Sequence, residues 1–371
     1  MTRLAATIEI DGKEAPDCFI ALKDMEVEED HRLAAMFRIR LEIHRGDDGL
    51  WNFLDDERIK PWKKVTIRAS VNDDDVELMT GYITHLKPHI ETDQSQCWLE
   101  IHGLDGSSLM SLEEKIKDWP NKSDSDIARE IFQSYGLLPH VDETLIIHDE
   151  AVATIIQRES DIQFLRRLAK RNGFECFVET GKGFFRKPVL AEPPQPVLAI
   201  QFGGETNLVS FEGSLNALRP TTVQMAQLDT IAKEVQTTSA DGNQQRMLGR
   251  DGVGSLEAPQ GVAALMFIRQ GVATSQAEME NLCRAVFDEA EWLVEARGEI
   301  DCSEYGAVLR AKKLVPIKGV GEIFSGLYYV TSVRHVFSTD KYAQHFTARR
   351  NALAPGPADF IGGASLFGGL L

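Results

Sequence analysis

His85 and His89 stand four residues apart, the spacing at which two imidazoles on one helix face share a metal ion. Pro88 sits between them in a strand-like run, so that helix face does not form and the pair reads as two surface histidines. Asp73-Asp74-Asp75 gathers carboxylates as a calcium loop does, but it lacks the glycine and the bidentate Glu of such a loop and reads as a solvated turn. Gly319-Val320-Gly321 with Gly326 has the glycines of a nucleotide loop and no helix after them, which reads as a hairpin turn. Gly-x-Ser-x-Gly, His-Glu-x-x-His and the P-loop are all missing from the sequence. Cys18, Cys97, Cys176, Cys283 and Cys302 are widely spaced, without CxxC, and fit small apolar side chains in a reducing compartment. Cell-wall cleavage needs one acidic and one basic carboxylate across a cleft. Asp229, Glu234 and Asp241 are the candidates for that pair, without a recognisable fold around them. The expectation is a chain that is not an enzyme and uses no cofactor or metal, with a cell-wall hydrolase component as the alternative.

Charge narrows the partners. With 40 Lys and Arg against 57 Asp and Glu, the 371 residues carry a formal charge of −17. A phosphate-tracking surface needs clustered cations, so this balance argues against nucleic acid and against anionic lipid. The helical run Arg166-Arg167 with Lys170-Arg171 is the main basic cluster; it reads first as a solvated face and second as a partner contact. The N-terminus meets Glu9 too early for an apolar signal region, and no stretch approaches about 20 apolar residues. These features predict a protein made in the cytoplasm and carried out only as part of an assembled particle.

The elements alternate in character. Phe37, Ile39, Leu41 and Ile43 share one strand face with Arg38, Arg40 and Glu42 opposite. Residues 65–71, 81–84 and 97–101 continue the strand pattern, which predicts a small barrel or sandwich over residues 1–105. Ser123 to Asp126, the stripe Ile127, Ala128, Ile131, Phe132, Tyr135 and the stop Gly136 predict a capped helix. A second helix is predicted from Ser160, with Gln163 as capping-box partner, burying Ile162, Leu165, Leu168 and Ala169 and stopping at Asn172-Gly173. A hairpin turning at Thr180 to Gly183 follows, and four prolines between Pro188 and Pro196 form an extended linker, so residues 106–196 make an α/β linking domain. Strands resume at 197–213 and 298–350. Between them, residues 214–297 are an insert that is polar and weakly periodic to Gly271. Ser275 with Glu278 then opens a long helix carrying Met279, Leu282, Val286, Ala290, Leu293 and Ala296 to Gly298. Residues 351–371 are a glycine-rich apolar tail with Phe360, Ile361, Leu366, Phe367, Leu370 and Leu371, a candidate partner-docking segment because such spacing cannot bury them against each other.

One stretch repeats. Tyr82-Ile83-Thr84-His85-Leu86 through Thr92-Asp93 aligns without gaps on Tyr329-Val330-Thr331-Ser332-Val333 through Thr339-Asp340. Lys63-Lys64-Val65 and Lys312-Lys313-Leu314 precede the two copies. Hairpins share residue types for generic reasons, which leaves convergence open. Duplication of a barrel is the reading pursued, and it gives an α+β, mostly β fold: two similar antiparallel β-barrels, an α/β domain between them, and a helical insert in the second.

Gln157-Arg158-Glu159-Ser160-Asp161 through Ala169, with Asn172-Gly173-Phe174, resembles a segment of the phage late control D and VgrG families. Asn121 to Ala128 with Tyr135-Gly136-Leu137, and Gly326 to His335, are similar to the segments those families place before and after it. The resemblance implies the baseplate hub of a phage tail or contractile injection system. Such a hub is a homotrimer whose pseudo-six-fold ring joins a hexameric inner tube, a trimeric spike and other baseplate proteins. Those families' VgrG-type chains continue into a β-helical spike; this sequence shows no such repeats to Leu371, which implies a separate spike protein. A plain tail or tube adaptor is the remaining alternative.

Overall fold

The computed structural model describes residues 4–72, 74–151, 154–228, 233–242, 244–256, 261, 264–269, 273–338 and 341–356. The strands of the first half are β1 (Leu4–Ile10), β2 (Lys13–Glu14), β3 (Leu22–Asp30), β4 (Met36–Glu42), β5 (Lys64–Val71), β6 (Asp74–His89) and β7 (Trp98–Asp105), with a short helix α1 (Pro16–Ile20). They pair antiparallel in the order β3-β4-β7-β6-β5-β1-β2. β6 is long enough to change partners: its first part pairs β5 and its second part β7. That curls the sheet around a core that includes Phe37, Ile39, Leu41, Ile67, Leu99 and Ile101.

The linking domain contains β8 (Glu114–Trp119), α2 (Asp124–Ser134), β9 (Leu138–Val141), β10 (Ile155–Ser160), α3 (Asp161–Asn172), β11 (Glu175–Glu179) and β12 (Lys182–Arg186). Ser123 closes the predicted cap on α2, its side chain accepting from the Asp126 N–H while the Asp126 carboxylate accepts from Ser123. α3 stops at Gly173 with φ 67, a left-handed position that glycine adopts without strain. Its start differs from the predicted capping box. The Ser160 side chain makes no cap hydrogen bond, and its buried Oγ has no partner. Asp161 organises this end instead, accepting from Gln157 at 2.7 Å and from Tyr135 at 2.8 Å. Ser160→Ala is therefore expected to change stability by less than about 0.5 kcal/mol or to raise it, where a working cap would lose about 1 kcal/mol. A urea midpoint measured against wild type checks this.

The second half holds β13 (Leu198–Ala199), β14 (Leu208–Leu215), β15 (Thr222–Leu228), β16 (Val235–Asp241), β17 (Leu265–Phe267), α4 (Gln276–Ala290), β18 (Val294–Asp301), α5 (Cys302–Tyr305), β19 (Leu314–Lys318), β20 (Gly326–Ser338) and β21 (Tyr342–Arg350). Two expectations change here. The weakly periodic stretch contains a small sheet ordered β16-β15-β17, in which Val223, Met225 and Ala240 are the buried apolar side chains. Ser275 does cap α4, accepting from the Glu278 N–H, but the helix ends at Ala290. Leu293 lies in the following turn and Ala296 in β18, because the apolar run at 293–296 meets the second core as a strand.

The two halves are similar antiparallel barrels, and the internal echo is visible in their hydrogen bonds. Ile83 N–H donates to Lys63 O and Val330 N–H to Lys313 O, while Trp62 N–H donates to Ile83 O and Lys312 N–H to Val330 O. Trp62 and Lys312 are both left-handed, with φ 68 and 63. Each copy has a register shift at matching places, between Ile83 and His85 and between Val330 and Ser332. The Lys63 counterpart is thus Lys313, one residue along from the alignment of the two sequence stretches. Thr339 and Asp340, the end of the echo, lie outside the described residues. β14, β18, β21, β20 and β19 repeat the order of β3, β4, β7, β6 and β5. Antiparallel pairing of β20 with β3 then joins the halves edge to edge into one continuous sheet.

Candidate assembly surface

That sheet has one face on the two cores and one face away from them. Strand alternation decides which side chains share the outer face, and cross-strand pairing decides which are neighbours. One row runs Ser210, Glu299, His345, Arg334, Glu28, Met36, Leu104, Tyr82 and Lys64, crossing nine strands and both halves. Beside it run Val336, Glu26, Arg38, His102 and His85, then Ser338, Asp24, Arg40, Glu100 and Lys87. On the other side run Glu212, Arg297, Thr347, Ser332 and Asp30. Across these rows carboxylates outnumber cations.

The charges are tied to one another. Arg38 meets Asp24 at 2.6 Å and Glu26 at 2.9 Å, and Arg40 meets Asp24 at 3.2 Å and Glu100 at 2.9 Å. His102 bonds Glu100 at 2.7 Å. Burial alone would raise the Glu100 carboxyl, but hydrogen bonds from His102 and Arg40 hold it down at about 2. Burial, with Arg334 nearby, lowers the His345 imidazole below its usual value. Isolated surface pairs contribute little, whereas a half-buried lattice fixes where each charge points. Chemically the face offers ordered charge and hydroxyls without a nucleophile activated by a base.

Behind the seam between the halves the interior is charged. Arg310 Nε lies 2.7 Å from Glu29 Oε1, its Nη1 donates to Glu77 O at 2.7 Å, and its Nη2 donates to Glu179 at 3.0 Å. The Nε contact is an ion pair whose alignment is too poor for a hydrogen bond. Glu29 also takes the Ala311 N–H at 3.2 Å and lies 3.6 Å from His335. One guanidinium thus ties β3 and β6 of the first half, β11 of the linking domain and the β19 approach of the second. Local sequence patterns carry no sign of this cluster, since its members lie as far apart in the chain as Glu29 and His335.

The residues singled out for chemistry do not converge. His85 and His89 are exposed on β6, with Lys87 between them; His89 stacks on Trp98 at 4.8 Å and bonds Glu91 at 2.8 Å. Among the described residues no three His, Cys, Asp or Glu side chains are placed to hold a metal ion. All five cysteines are free and buried, and burial pushes the Cys18 and Cys176 thiols up to about 12. Glu234 and Asp241 are exposed, and Asp229 lies outside the described residues. Phe360, Ile361, Leu366, Phe367, Leu370 and Leu371 lie outside them too. Among the described residues no helix is long and apolar enough to cross a membrane.

This architecture has the fold of phage tail proteins. The chain is similar to the 43 kDa tail protein of prophage MuSo2 from Shewanella oneidensis, with a TM-score of 0.65 and 14% identity over 94% of this chain and 99% of that one. It is similar to a tail protein from Neisseria meningitidis MC58, with a TM-score of 0.64 and 11% identity over 95% and 98% of the two chains. A third likeness, with a TM-score of 0.54 and 11% identity over 94% and 76%, is to the E. coli c3393 protein. That protein is a component of the type VI secretion system with structural similarity to the T4 tail proteins gp27 and gp5. At these identities the likeness is one of fold. No curated protein matches the sequence. The chain belongs to the family of the Alg8 N-terminal domain, whose model matches residues 1–339.

Proposed function

We propose that this chain is the structural baseplate hub of a phage tail or contractile injection machine, a homotrimer and not an enzyme. The observation that carries the reading is the duplicated half-sheet, with two similar barrels joined edge to edge inside a tail-protein fold. Three copies arranged head to tail place six such barrels around one axis. That ring matches a hexameric inner tube on one side and a three-fold spike on the other, and so adapts one symmetry to the other. The resemblance of residues 157–174 to late control D and VgrG proteins supports the same assignment. In this reading residues 1–105, and 197–213 with 298–350, are the tube domains, residues 106–196 link them, and 214–297 are an insert. The mass of the assembled chain is the direct test, with three copies expected.

The charged outer face is the surface we assign to the pore. A hydrated lining of mutually paired charges sheds apolar contacts, so material passes without adhering, and the lining of the assembled ring is expected to be polar and net negative. An apolar or strongly basic lining in the assembled ring would contradict this assignment.

The apolar tail then has a role in assembly. Phe360, Ile361, Leu366, Phe367, Leu370 and Leu371 each forfeit roughly 1.5–3 kcal/mol if left in water, so docking on a neighbouring subunit or a separate spike is favoured. Removing residues 357–371, which spares the buried Pro355 whose carbonyl accepts from Arg250 Nε at 3.0 Å, is expected to leave the melting temperature of the isolated chain unchanged and to weaken capture of the spike in a pull-down. Equal capture by the truncated and full chains would show that the tail does not dock.

A further inference from the structure

α3, β11, α4 and β21 surround a cavity of about 550 Å³, within the size range of small-molecule sites. Phe174, Val286, Met266 and Trp292 supply an apolar lining. The basic run on α3 divides at this cavity. Arg167 donates to Glu159 at 2.6 Å and Arg171 pairs with Glu278, so those two cations are satisfied. Arg166 and Lys170, one helical turn apart, both line the cavity. Neither has a hydrogen-bond or ion-pair partner among the described residues, and Arg166 Nε and Nη2 are buried without one. Two unpaired like charges at this spacing repel each other, and unpaired buried donors cost more than exposed ones. The acids nearby answer them in part: burial raises the Asp105 carboxyl while Arg166 acts against that rise without a hydrogen bond or ion pair between the two, and Glu175 in the lining is raised by burial and takes the Tyr329 hydroxyl at 2.7 Å. Glu289 is taken by Arg32 and by Arg349, which stacks over Trp292 at 4.3 Å. Asp288, on the α4 wall, is pushed up to about 6 by burial, which weakens the repulsion an entering anion would meet.

We propose that this cavity binds a small amphipathic anion, its apolar body against Phe174, Val286, Met266 and Trp292 and its carboxylate or phosphate between Arg166 and Lys170. The inference does not depend on the hub reading. It accounts for why half of the basic run is paired within the chain and half is left open on an apolar space.

Calorimetric titration of the full chain with dodecanoate, below its micelle concentration, tests it, with dodecyl phosphate as the second anion. Dodecanol and dodecyltrimethylammonium serve as the neutral and cationic controls. Saturable binding of one anion per chain is expected, at least tenfold tighter than either control. Lys170→Glu, a change at an exposed position, is expected to weaken dodecanoate at least tenfold, and Arg166→Gln to do the same. Arg158→Glu, outside the cavity, should leave binding unchanged. The proposal is overturned if neither anion binds saturably, if dodecanol binds as tightly, or if Lys170→Glu binds like wild type. Should Arg166→Gln fail to fold, the Lys170→Glu comparison decides alone.

Discussion

Replacing Arg310 with methionine is expected to lower stability by about 3–5 kcal/mol, because it leaves a buried carboxylate without its counter-charge. Glu29 is only 2% exposed. Burial alone would raise its pKa, but Arg310 and His335 hold it at about 2, against an ordinary value of 4.5. A depressed carboxyl pKa contributes stability above the unfolded value and loses that contribution as pH falls through the folded one. The gap between wild type and Arg310→Met should therefore narrow as pH drops from 4.5 toward 2. Adding Glu29→Gln to Arg310→Met should recover part of the loss, since the orphaned charge is then gone. Urea unfolding at fixed protein concentration reads all three forms. A loss below about 1 kcal/mol for Arg310→Met would mean that the seam is not held by this cluster.

Leu165→Ala is expected to cost about 2–5 kcal/mol, the range for emptying a packed site. Leu165 is fully buried on α3, in a core with Phe132, Phe164, Leu168 and Trp119. Phe164 stacks on Trp119 at 6.2 Å, so the walls around the lost side chain are rigid rings that collapse poorly. Leu165→Met, which conserves volume, should cost less than about 1.5 kcal/mol. Equal losses for the two variants would point to something other than a cavity.

The contrast between Leu165 and Ser160 shows what the sequence displays and what it hides. Leu165 belongs to a helical stripe, and a stripe repeated over three turns identifies a buried face from residue spacing alone. Ser160 and Gln163 match a capping motif equally well, yet Ser160 Oγ is buried and unpartnered while Asp161 takes the hydrogen bonds. A single residue's role depends on tertiary neighbours such as Lys115 and Tyr135, which local spacing does not reveal. The echo of residues 82–91 at 329–338 is legible because the two copies keep the same residue order, and its backbone bonds follow it to within one residue at Lys63 and Lys313. β15, β16 and β17 are not legible, since only Val223, Met225 and Ala240 face inward and the alternation is diluted by exposed positions. The junction of β3 with β20 is the feature least visible in the sequence. It pairs residues roughly 300 positions apart, and only this pairing and that of β3 with β4 set Arg334, Arg38 and Arg40 beside Glu28, Glu26 and Asp24. Both the proposed pore face and the Arg310 cluster are consequences of that junction.

The central claim is that the chain assembles as a three-fold ring of duplicated barrels. Native mass spectrometry of the full chain at micromolar concentration tests it most directly. The account predicts one dominant species of about 124 kDa, three copies of 41.4 kDa. A monomer, a dimer or a true hexamer as the dominant species would contradict it.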